Sequence, residues 1–540
     1  MGDSAACDTA TGSPHFTRTS ESGYVSPFRW FSRLGARTCF SERHGCRGSR
    51  VTTATSSGRH RLKSLRSILG GSGVRHARRA RGACEGLVVV ATVLLGTLSP
   101  VSARGGSYTL QGTLLTPKET IEGGSLTVQD GKILQVGKRG APGAGPTIDV
   151  QGVIMPGMID LHDHLTWNVF PQWKPGRLFE NRYEWEESAE YSRALKDPEA
   201  SLISGGLGCD GDLFGEVKAL AGGATSVVGS YAGRRDHPGE NACIEGLTRS
   251  LDFYPQLGKD GDRAGAYEIF PFEVAPERMD LYRHHLADGS LACLLIHVAE
   301  GSPTDASAHR EFRMLKAQVL LRKGVAVIHG VAFRQEDFRD MAANGVALVW
   351  SPRSNYELYG ATTRIEEARR AGVTIALAPD WSPTGSAGML QELRYVAKWN
   401  QHNKLFQDGE LIELTTSTPA EVAGFGSEPG TLAPGRQADL LVLKSSNKSA
   451  SATVLSAGPA DVELVVVGGT PLYGDARLMA QLLAKANLEA LSICGVQKAL
   501  YMGDTPGAGN AAEESFAKIR QRLDDALRRS GTALGPFECQ

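Results

Sequence analysis

Between residues 153 and 425, short apolar runs alternate with helical stretches. Runs that are apolar throughout suit strands buried on both faces, and their alternation with helices is typical of a parallel sheet. Eight such runs predict an α/β chain with a (β/α)8 TIM barrel over residues 153–425. The predicted strands are Met158–Leu161, Thr225–Val228, Gly246–Leu251, Ala266–Phe270, Cys293–His297, Val325–His329, Val346–Trp350 and Thr374–Ala378.

Two β-rich blocks flank this region, over residues 104–152 and 426–475. In the first block, Asp130-Gly131 separates two alternating apolar segments, which is a strong signal for a hairpin. Residues 476–540 are predicted to form a helical tail, because Phe516, Ile519, Leu523 and Leu527 share one apolar face.

The 540 residues are 41% hydrophobic and 22% charged, which is ordinary for a soluble globular protein and excludes a collagen-like, disordered or multi-span membrane chain. The net charge of −1 conceals an asymmetry: a basic segment precedes an acidic body. An acidic body argues against nucleic-acid binding.

The basic segment has the order of an export signal. Residues 1–73 are rich in Ser, Thr, Arg and Gly and predict disordered sequence upstream of the true translation start; a long leader or transit peptide is the alternative. Residues 74–103 predict a signal peptide, with arginines, the apolar run Leu87–Leu98 and the small-residue site Val101-Ser102-Ala103. Because the run is shorter than a membrane span of about 20 residues, we expect no stable membrane span and a periplasmic or secreted protein.

Nine cysteines are present, and the five beyond residue 103 have no CxxC spacing. Cys209, Cys243, Cys293, Cys494 and Cys539 therefore predict neither a zinc ribbon nor a disulfide framework, although one unassigned bridge stays open.

The candidate chemistry lies where predicted strands end. His162 and His164 follow the first strand, and two residues spaced by two on a strand face the same side. His297, His329 and Asp380 end the fifth, sixth and eighth strands. Isolated residues of this kind are usually core histidines or caps, but five of them at the carboxyl ends of barrel strands predict a metal site at the active-site face.

These motifs resemble the amidohydrolase superfamily, in the branch of guanine and cytosine deaminases and triazine chlorohydrolases. The resemblance spans roughly residues 107–475. It rests on these segments: Pro156–His164, His297-Val298-Ala299-Glu300, Ile328-His329-Gly330, Ser351–Asn355, Asp380-Trp381-Ser382-Pro383 and Gly430–Leu443. It implies that the two β-rich blocks form one β-sandwich domain beside the barrel.

The resemblance also implies roles for single residues. The ligands of one divalent metal, Zn²⁺ or alternatively Fe²⁺, would be His162, His164, His297 and Asp380. Glu300 would be the general acid and base, and His329 would polarise the substrate or orient the attacking water. The bridging lysine of two-metal relatives is missing from Ala266–Phe272, which favours one metal.

Substrate-binding candidates are Trp167, Arg353 and Asn355, and Tyr356 and Trp381 are further candidates to line the pocket; packing roles are the alternative for each. We expect a metal-dependent hydrolase that cleaves a non-peptide C–N bond of a small molecule, as deaminases do. Hydrolysis of an ester or C–Cl bond and a non-catalytic binding protein are the alternatives. A homo-oligomer is compatible with the sequence, which leaves the subunit number open.

Overall fold

The computed structural model describes residues 106–140, 145–230, 243, 246–251, 264–268, 270–425, 428–483, 486–503 and 515–539. The predicted disordered segment 1–73 and signal peptide 74–103 lie outside these residues.

Strands and helices alternate through the middle of the chain, and strands predominate at both ends of the described region. The strands are β1 (Tyr108–Leu115), β2 (Thr120–Gln129), β3 (Lys132–Lys138), β4 (Thr147–Pro156), β5 (Met158–Asp160), β6 (Ala224–Val227), β7 (Arg249–Ser250), β8 (Ala264–Glu268), β9 (Leu291–Val298), β10 (Val325–His329), β11 (Ala347–Trp350), β12 (Ile375–Leu377), β13 (Leu440–Leu443), β14 (Val462–Val467), β15 (Thr470–Asp475), β16 (Leu488–Ile493) and β17 (Val496–Tyr501). The helices are α1 (Arg182–Glu186), α2 (Ala189–Tyr191), α3 (Asp197–Ser204), α4 (Gly208–Ala221), α5 (Pro276–Asp288), α6 (Ala306–Ala317), α7 (Gln335–Asn344), α8 (Pro352–Tyr359), α9 (Ile365–Ala371), α10 (Met389–Asn403), α11 (Asp408–Glu413), α12 (Ser417–Val422), α13 (Ala450–Ser456), α14 (Ala476–Leu482) and α15 (Phe516–Arg529).

All eight predicted apolar runs overlap a strand, β5 to β12. These strands pair in parallel, in a three-stranded sheet of order β5-β6-β7 and a five-stranded sheet of order β12-β11-β10-β9-β8. A separate core lies between them and takes alternate residues of several strands, such as Cys293 and Leu295 on β9 and Ala376 and Ala378 at β12. The carboxyl ends of these strands carry the candidate site.

The two flanking β-rich blocks join in one sheet, of order β16-β17-β15-β14-β13-β4-β1-β2-β3. The N- and C-terminal segments meet where Leu440–Leu443 pairs antiparallel with Val153–Pro156. The prediction of a domain built from both segments agrees with this pairing. However, the strands form one continuous sheet of nine rather than two separate sheets, because the ten-residue β4 pairs with β1 as well as with β13.

Three tight hairpins among the described residues have left-handed residues in their turns, and one of these turns is the glycine pair Gly468-Gly469 between β14 and β15. The predicted Asp130-Gly131 turn is confirmed, with φ values of 49° and 78° between β2 and β3. The third turn, at Cys494-Gly495 with φ values of 52° and 79°, joins β16 to β17. The prediction of a purely helical tail over 476–540 is therefore wrong, because these two strands extend the sheet. The predicted apolar helix itself is present as α15.

The C-terminal segment folds back onto the short 3-10 helix Leu165–Val169, which directly follows His164. The backbone N–H of Gly535 donates to Val169 O at 2.6 Å, and the guanidinium of Arg353 lies 3.6 Å from the carboxylate of Glu538. Disulfides link Cys494 to Cys539 and Cys209 to Cys243. The described residues therefore contain two bridges where at most one was expected. Both join cysteines distant in sequence, so their spacing gave no signal.

We expect the Cys539→Ser variant to lose about 2–4 kcal/mol of unfolding free energy, because the bridge closes a long loop of the unfolded chain. Urea unfolding of oxidised protein would measure this difference. The double variant Cys494→Ser/Cys539→Ser should match the single variant. Equal stability of wild type and the double variant would contradict the prediction.

Among the described residues, no helix has the length and apolar character needed to cross a membrane.

Candidate active site

Four candidate metal ligands converge at the carboxyl ends of β5, β9 and β12. His162 and His164 lie just beyond the short strand β5, His297 is the penultimate residue of β9, and Asp380 follows β12. The backbone N–H of Asp380 donates to His162 O at 2.9 Å, which brings the ends of the first and eighth parallel strands together.

The ligand atoms of these side chains face one another at short range. Asp380 Oδ1 lies 3.2 Å from His162 Nε2 and 3.4 Å from His164 Nε2, and His297 Nε2 lies 3.1 Å from His162 Nε2. Neighbouring ligand atoms about 2.0–2.1 Å from a tetrahedral zinc ion are separated by roughly 3.3–3.4 Å. His162, His164 and Asp380 form one trio with ligand atoms within 4.8 Å of one another, and His297 lies beside His162. Imidazole and carboxylate donors of this kind suit a divalent metal of the zinc type.

Two of the candidate ligands, His162 and Asp380, are held from behind by serine hydroxyls. His162 Nδ1 lies 2.7 Å from Ser351 Oγ, so the ring can donate there and leave Nε2 free for a metal. The hydroxyl of Ser354 donates to Asp380 Oδ2 at 2.6 Å. Such contacts orient a ligand before a metal binds.

The loop that carries His164 is fixed by a buried carboxylate and amide. Asp163 Oδ1 accepts from the backbone N–H of His164 at 2.6 Å and from Asn168 Nδ2 at 2.8 Å. Asn168 Oδ1 in turn accepts from the backbone N–H of Ser382, near the end of β12. Burial raises the pKa of Asp163 to about 7.

Burial and the neighbouring imidazoles His329, His297 and His164 lower the pKa of His162 well below its usual value. A neutral imidazole is the form that binds a metal. The electrostatics of the apo site therefore favour the ligand form of His162.

Glu300 is a buried carboxylate beside this cluster. The hydroxyl of Tyr359 donates to Glu300 Oε1 at 2.6 Å, and His329 Nε2 lies 3.5 Å from Glu300 Oε2. Burial raises the pKa of Glu300, while His329 and Tyr359 oppose that rise. A buried carboxyl group at a cavity can both accept and return a proton.

His329 takes its orientation from Asn355, whose Oδ1 lies 2.9 Å from His329 Nδ1. With the amide oxygen accepting, the ring donates from Nδ1 and turns Nε2 toward Glu300. A second grouping, in which His329 joins His162 and His297, also brings ligand atoms within 4.8 Å of one another.

In the structure, neither Asn355 nor Arg353 lies where the predicted contact with substrate would place it. Both lie on α8 rather than on the preceding strand, and Asn355 is fully buried behind His329. Arg353 Nη1 donates to Ser386 Oγ at 3.3 Å and faces the C-terminal Glu538. A helix turns away from the strand end after Pro352, which is why neither side chain lines the cavity.

Three residues at the strand ends adopt the left-handed backbone region although they are not glycines. The φ values are 59° at Ala299, 68° at His329 and 72° at Asp380. Such conformations cost about 1–3 kcal/mol each and often occur at functional sites. Here they turn the chain sharply at the ends of β9, β10 and β12, beside the candidate ligands.

Three ligands and Glu300 open onto one cavity of about 460 Å³, including its opening to solvent. Its upper wall is aromatic. The lining residues are His164, Trp167, Trp185, Glu186, Tyr191, Phe270, His297, Glu300, His329, Leu358, Asp380 and Trp381. Trp167 and Trp381 are thus at the cavity as predicted, whereas Tyr356 lies apart and accepts from Trp399 Nε1.

Several site residues were missed by the sequence analysis. Tyr359, Ser354, Trp185, Tyr191 and Phe270 gave no recognisable signal. The α8 residues could have been suggested by helical spacing, because Asn355 and Tyr359 are four apart and therefore share a face.

We expect Tyr359→Phe to move the acid limb of the kcat/KM profile to higher pH by about half to one unit. Glu300 must be deprotonated to accept a proton, and the Tyr359 hydroxyl lowers its pKa by hydrogen bonding. Removing the hydroxyl raises that pKa, so activity is lost at a higher pH as the solution is acidified. Profiles of the variant and of the control Tyr356→Phe would test this; equal shifts in both variants would contradict it.

Comparison with known proteins adds family information to this geometry. Residues 291–473 match the sequence model of the amidohydrolase family. The chain is 26% identical over 423 residues to a 5-methylthioadenosine/S-adenosylhomocysteine deaminase of Symbiobacterium thermophilum, covering 70% of this chain and 92% of the relative.

Two solved structures share the fold at low sequence identity. An adenosine deaminase from Xanthomonas campestris with bound zinc has a TM-score of 0.56 and 18% identity, covering 77% of this chain and 98% of its own. A guanine deaminase from Bradyrhizobium japonicum has a TM-score of 0.55 and 19% identity, covering 68% and 100%.

The matched residues 291–473 include His297, Glu300, His329 and Asp380. Of the other two candidate ligands, His164 lines the same cavity and His162 lies 3.2 Å from Asp380 Oδ1. Sequence and fold comparisons thus agree on the amidohydrolase superfamily of metal-dependent hydrolases, and the family match itself covers residues 291–473.

Proposed function

We propose that the protein is a hydrolytic deaminase, which removes an exocyclic amino group from a small planar heterocycle. The observation that carries this proposal is the common cavity: Glu300 faces the same space as His164, His297 and Asp380. The reaction needs a water activated for attack and a group that transfers its proton to the departing nitrogen.

His162, His164, His297 and Asp380 would hold one divalent metal, most reasonably zinc. When bound, such a metal acts as a Lewis acid and lowers the pKa of water toward neutrality. The zinc-loaded adenosine deaminase of similar fold supports this choice.

Glu300 supplies the proton transfer. Its carboxylate accepts a proton from the attacking water as the C–O bond forms, and the same proton then passes to the amino nitrogen. The C–N bond breaks, ammonia leaves, and the ring keeps the hydroxyl group, whose proton moves to the adjacent ring nitrogen to give the carbonyl form. The Tyr359 hydroxyl keeps Glu300 aimed into the cavity throughout, since it bonds Oε1 and leaves Oε2 facing inward.

His329 stands outside the proposed ligand set. Its Nδ1 faces Asn355 and its Nε2 faces Glu300, so both ring nitrogens have partners other than a second metal. The described strand β8, which is fourth in the parallel set, contains no lysine that could bridge two ions. His329 instead orients the water or the ring nitrogen of the substrate.

The aromatic wall favours a flat substrate. Trp167, Tyr191 and Trp381 lie within about one ring diameter of each other, with Trp167 and Tyr191 stacked at 6.1 Å between centroids. Planar rings bind such surfaces by offset stacking or edge contacts. The deaminase named above acts, by its name, on purine nucleosides, which supports an aminopurine-like ring.

Ammonia release from aminopurines, adenosine derivatives, aminopyrimidines and aminotriazines tests the proposal. We expect the zinc-loaded protein to release ammonia from members of this panel, a chelator to abolish release, and added zinc to restore it. Chloride release from chlorotriazines, measured in parallel, is the control for a different bond. Chloride or ester hydrolysis without ammonia release from any compound would overturn the proposal.

We further propose that β5 to β12 close into one (β/α)8 barrel. The contact of Asp380 with His162 and the parallel bridge between Asp163 and Asp380 support closure between β12 and β5. A complete barrel would place all proposed ligands at one rim.

Finally, we propose export to the periplasm or the exterior. Two disulfides among the described residues are typical of an oxidising compartment and support this location. N-terminal sequencing of exported protein should begin near Arg104. A cytoplasmic protein that retains residues 1–73 would contradict the proposal.

A further inference from the structure

We propose that the active-site cavity selects a positively charged substrate, whose cationic part sits in a cage of aromatic rings with Glu186 as its counter-charge. The inference deepens the proposed deaminase function by naming the charge class of its substrate. It rests on that function only for the assignment of the cavity as a substrate site. The cage is defined here as Trp167, Trp185, Tyr191 and Trp381.

The four cage rings surround one part of the cavity. Centroid distances are 4.9 Å between Trp185 and Tyr191, 5.5 Å between Trp167 and Trp381, and 5.8 Å between Trp185 and Trp381. All four side chains are nearly buried, with 4–7% of each residue exposed. Electron-rich faces of indole and phenol rings attract cations, most strongly where water is excluded.

The indole N–H groups of two cage tryptophans already donate hydrogen bonds within the protein, so they are not available to a substrate. Trp185 Nε1 donates at 2.8 Å to the hydroxyl of Tyr359, and Trp381 Nε1 donates to Thr384 Oγ1. These indoles therefore offer their rings rather than their N–H groups. A sugar with several hydroxyls would find few neutral partners among the described lining residues.

The charged side chains that line the cavity also favour a cationic substrate. Beyond the proposed metal ligands, the described lining holds the carboxylates Glu186 and Glu300 and neither lysine nor arginine. A carboxylate or phosphate on the substrate would meet these two groups without a cationic side chain to pair with. A cation would meet Glu186 at the rim and the ring faces further in.

Arg182 does not cancel this preference. It donates from Nη1 to Glu186 Oε1 at 2.7 Å, but its Nη2 also contacts Glu273, so one guanidinium serves two carboxylates. It lies behind the cavity wall, with its guanidinium carbon 3.6 Å from the ring centre of Phe270. The rim therefore keeps a net negative charge.

A pair of isosteric probes tests the inference on the full zinc-loaded chain. Choline and 3,3-dimethyl-1-butanol have nearly the same shape and share a hydroxyl, but only choline is charged. Binding can be followed by quenching of tryptophan fluorescence and by calorimetry. We expect choline to bind on the order of tenfold more tightly than the neutral alcohol.

Variants distinguish binding in the aromatic cage from nonspecific attraction by negative surface charge. Glu186→Gln should weaken choline binding severalfold and leave the neutral alcohol unaffected, whereas Glu187→Gln, which removes the same charge from an exposed neighbour, should change neither. Trp167→Leu should reduce the difference between the probes. For a cationic substrate found in the ammonia assay, Glu186→Gln should raise KM with little change in kcat.

Equal affinity for the two probes, or equal effects of Glu186→Gln and Glu187→Gln, would overturn the inference. These outcomes are distinct from failure of the proposed function. Selective choline binding without any ammonia release would reject the deaminase and leave the cation cage standing. Ammonia release only from neutral substrates, with equal binding of choline and the neutral alcohol, would reject the cation cage and leave the deaminase standing.

Discussion

Glu300→Gln is expected to lower kcat by about 10²–10⁴-fold while the metal content and KM stay near those of the wild type. Glutamine keeps the size of the side chain and can still bond to Tyr359, but it cannot carry a proton from water to nitrogen. Glu300 lies three residues beyond His297 and contacts His329 and Tyr359, so no proposed ligand loses its partner. Steady-state kinetics and elemental analysis of the same preparation measure both quantities.

Excess zinc distinguishes proton transfer from a supporting role. If Glu300 mainly held the ligands in place, the glutamine variant would be deficient in metal and added zinc would restore its activity. Such rescue would reject the proton-transfer role. Unchanged activity without added zinc would remove Glu300 from the reaction altogether.

Much of the parallel fold could be predicted because most of its strands are short and largely apolar. The Val325–His329 strand has the predicted bounds. The strands at Arg249–Ser250 and Ala264–Glu268 are shorter than or displaced from the predicted runs. The β16–β17 hairpin was missed because its turn, Cys494-Gly495, has no Asn or Asp to mark a left-handed pair.

The candidate ligands could be predicted for a physical reason: parallel strands end at one rim, so polar residues that follow them must converge there. The groups that orient them could not. Trp185 and Tyr359 are 174 residues apart and meet only because the loop after β5 folds over the end of β11. Nor could the sequence show that Asn355 faces His329 rather than the cavity, since that depends on how α8 is rotated.

The histidines His297 and His329 should respond differently to replacement by alanine. His297→Ala should lose both tightly bound metal and activity, because it removes one of four proposed ligands whose atoms lie 3.1–3.4 Å from a neighbour. His329→Ala should keep the metal and lose most of its turnover, because Asn355 and Glu300, not the ligand set, are its partners.

The metal content per chain, measured by elemental analysis after exhaustive dialysis, distinguishes the roles of the two histidines. We expect about one metal per chain in the wild type and in His329→Ala, and almost none in His297→Ala. His309→Ala is the matched control, since His309 is a buried histidine paired with Asp337 away from the cavity. About two metals per wild-type chain, with one lost in His329→Ala, would show that the alternative trio of His162, His297 and His329 binds an ion. That result would replace the single-metal site by a two-metal centre, and His329 would then be a ligand rather than a group that orients water or substrate.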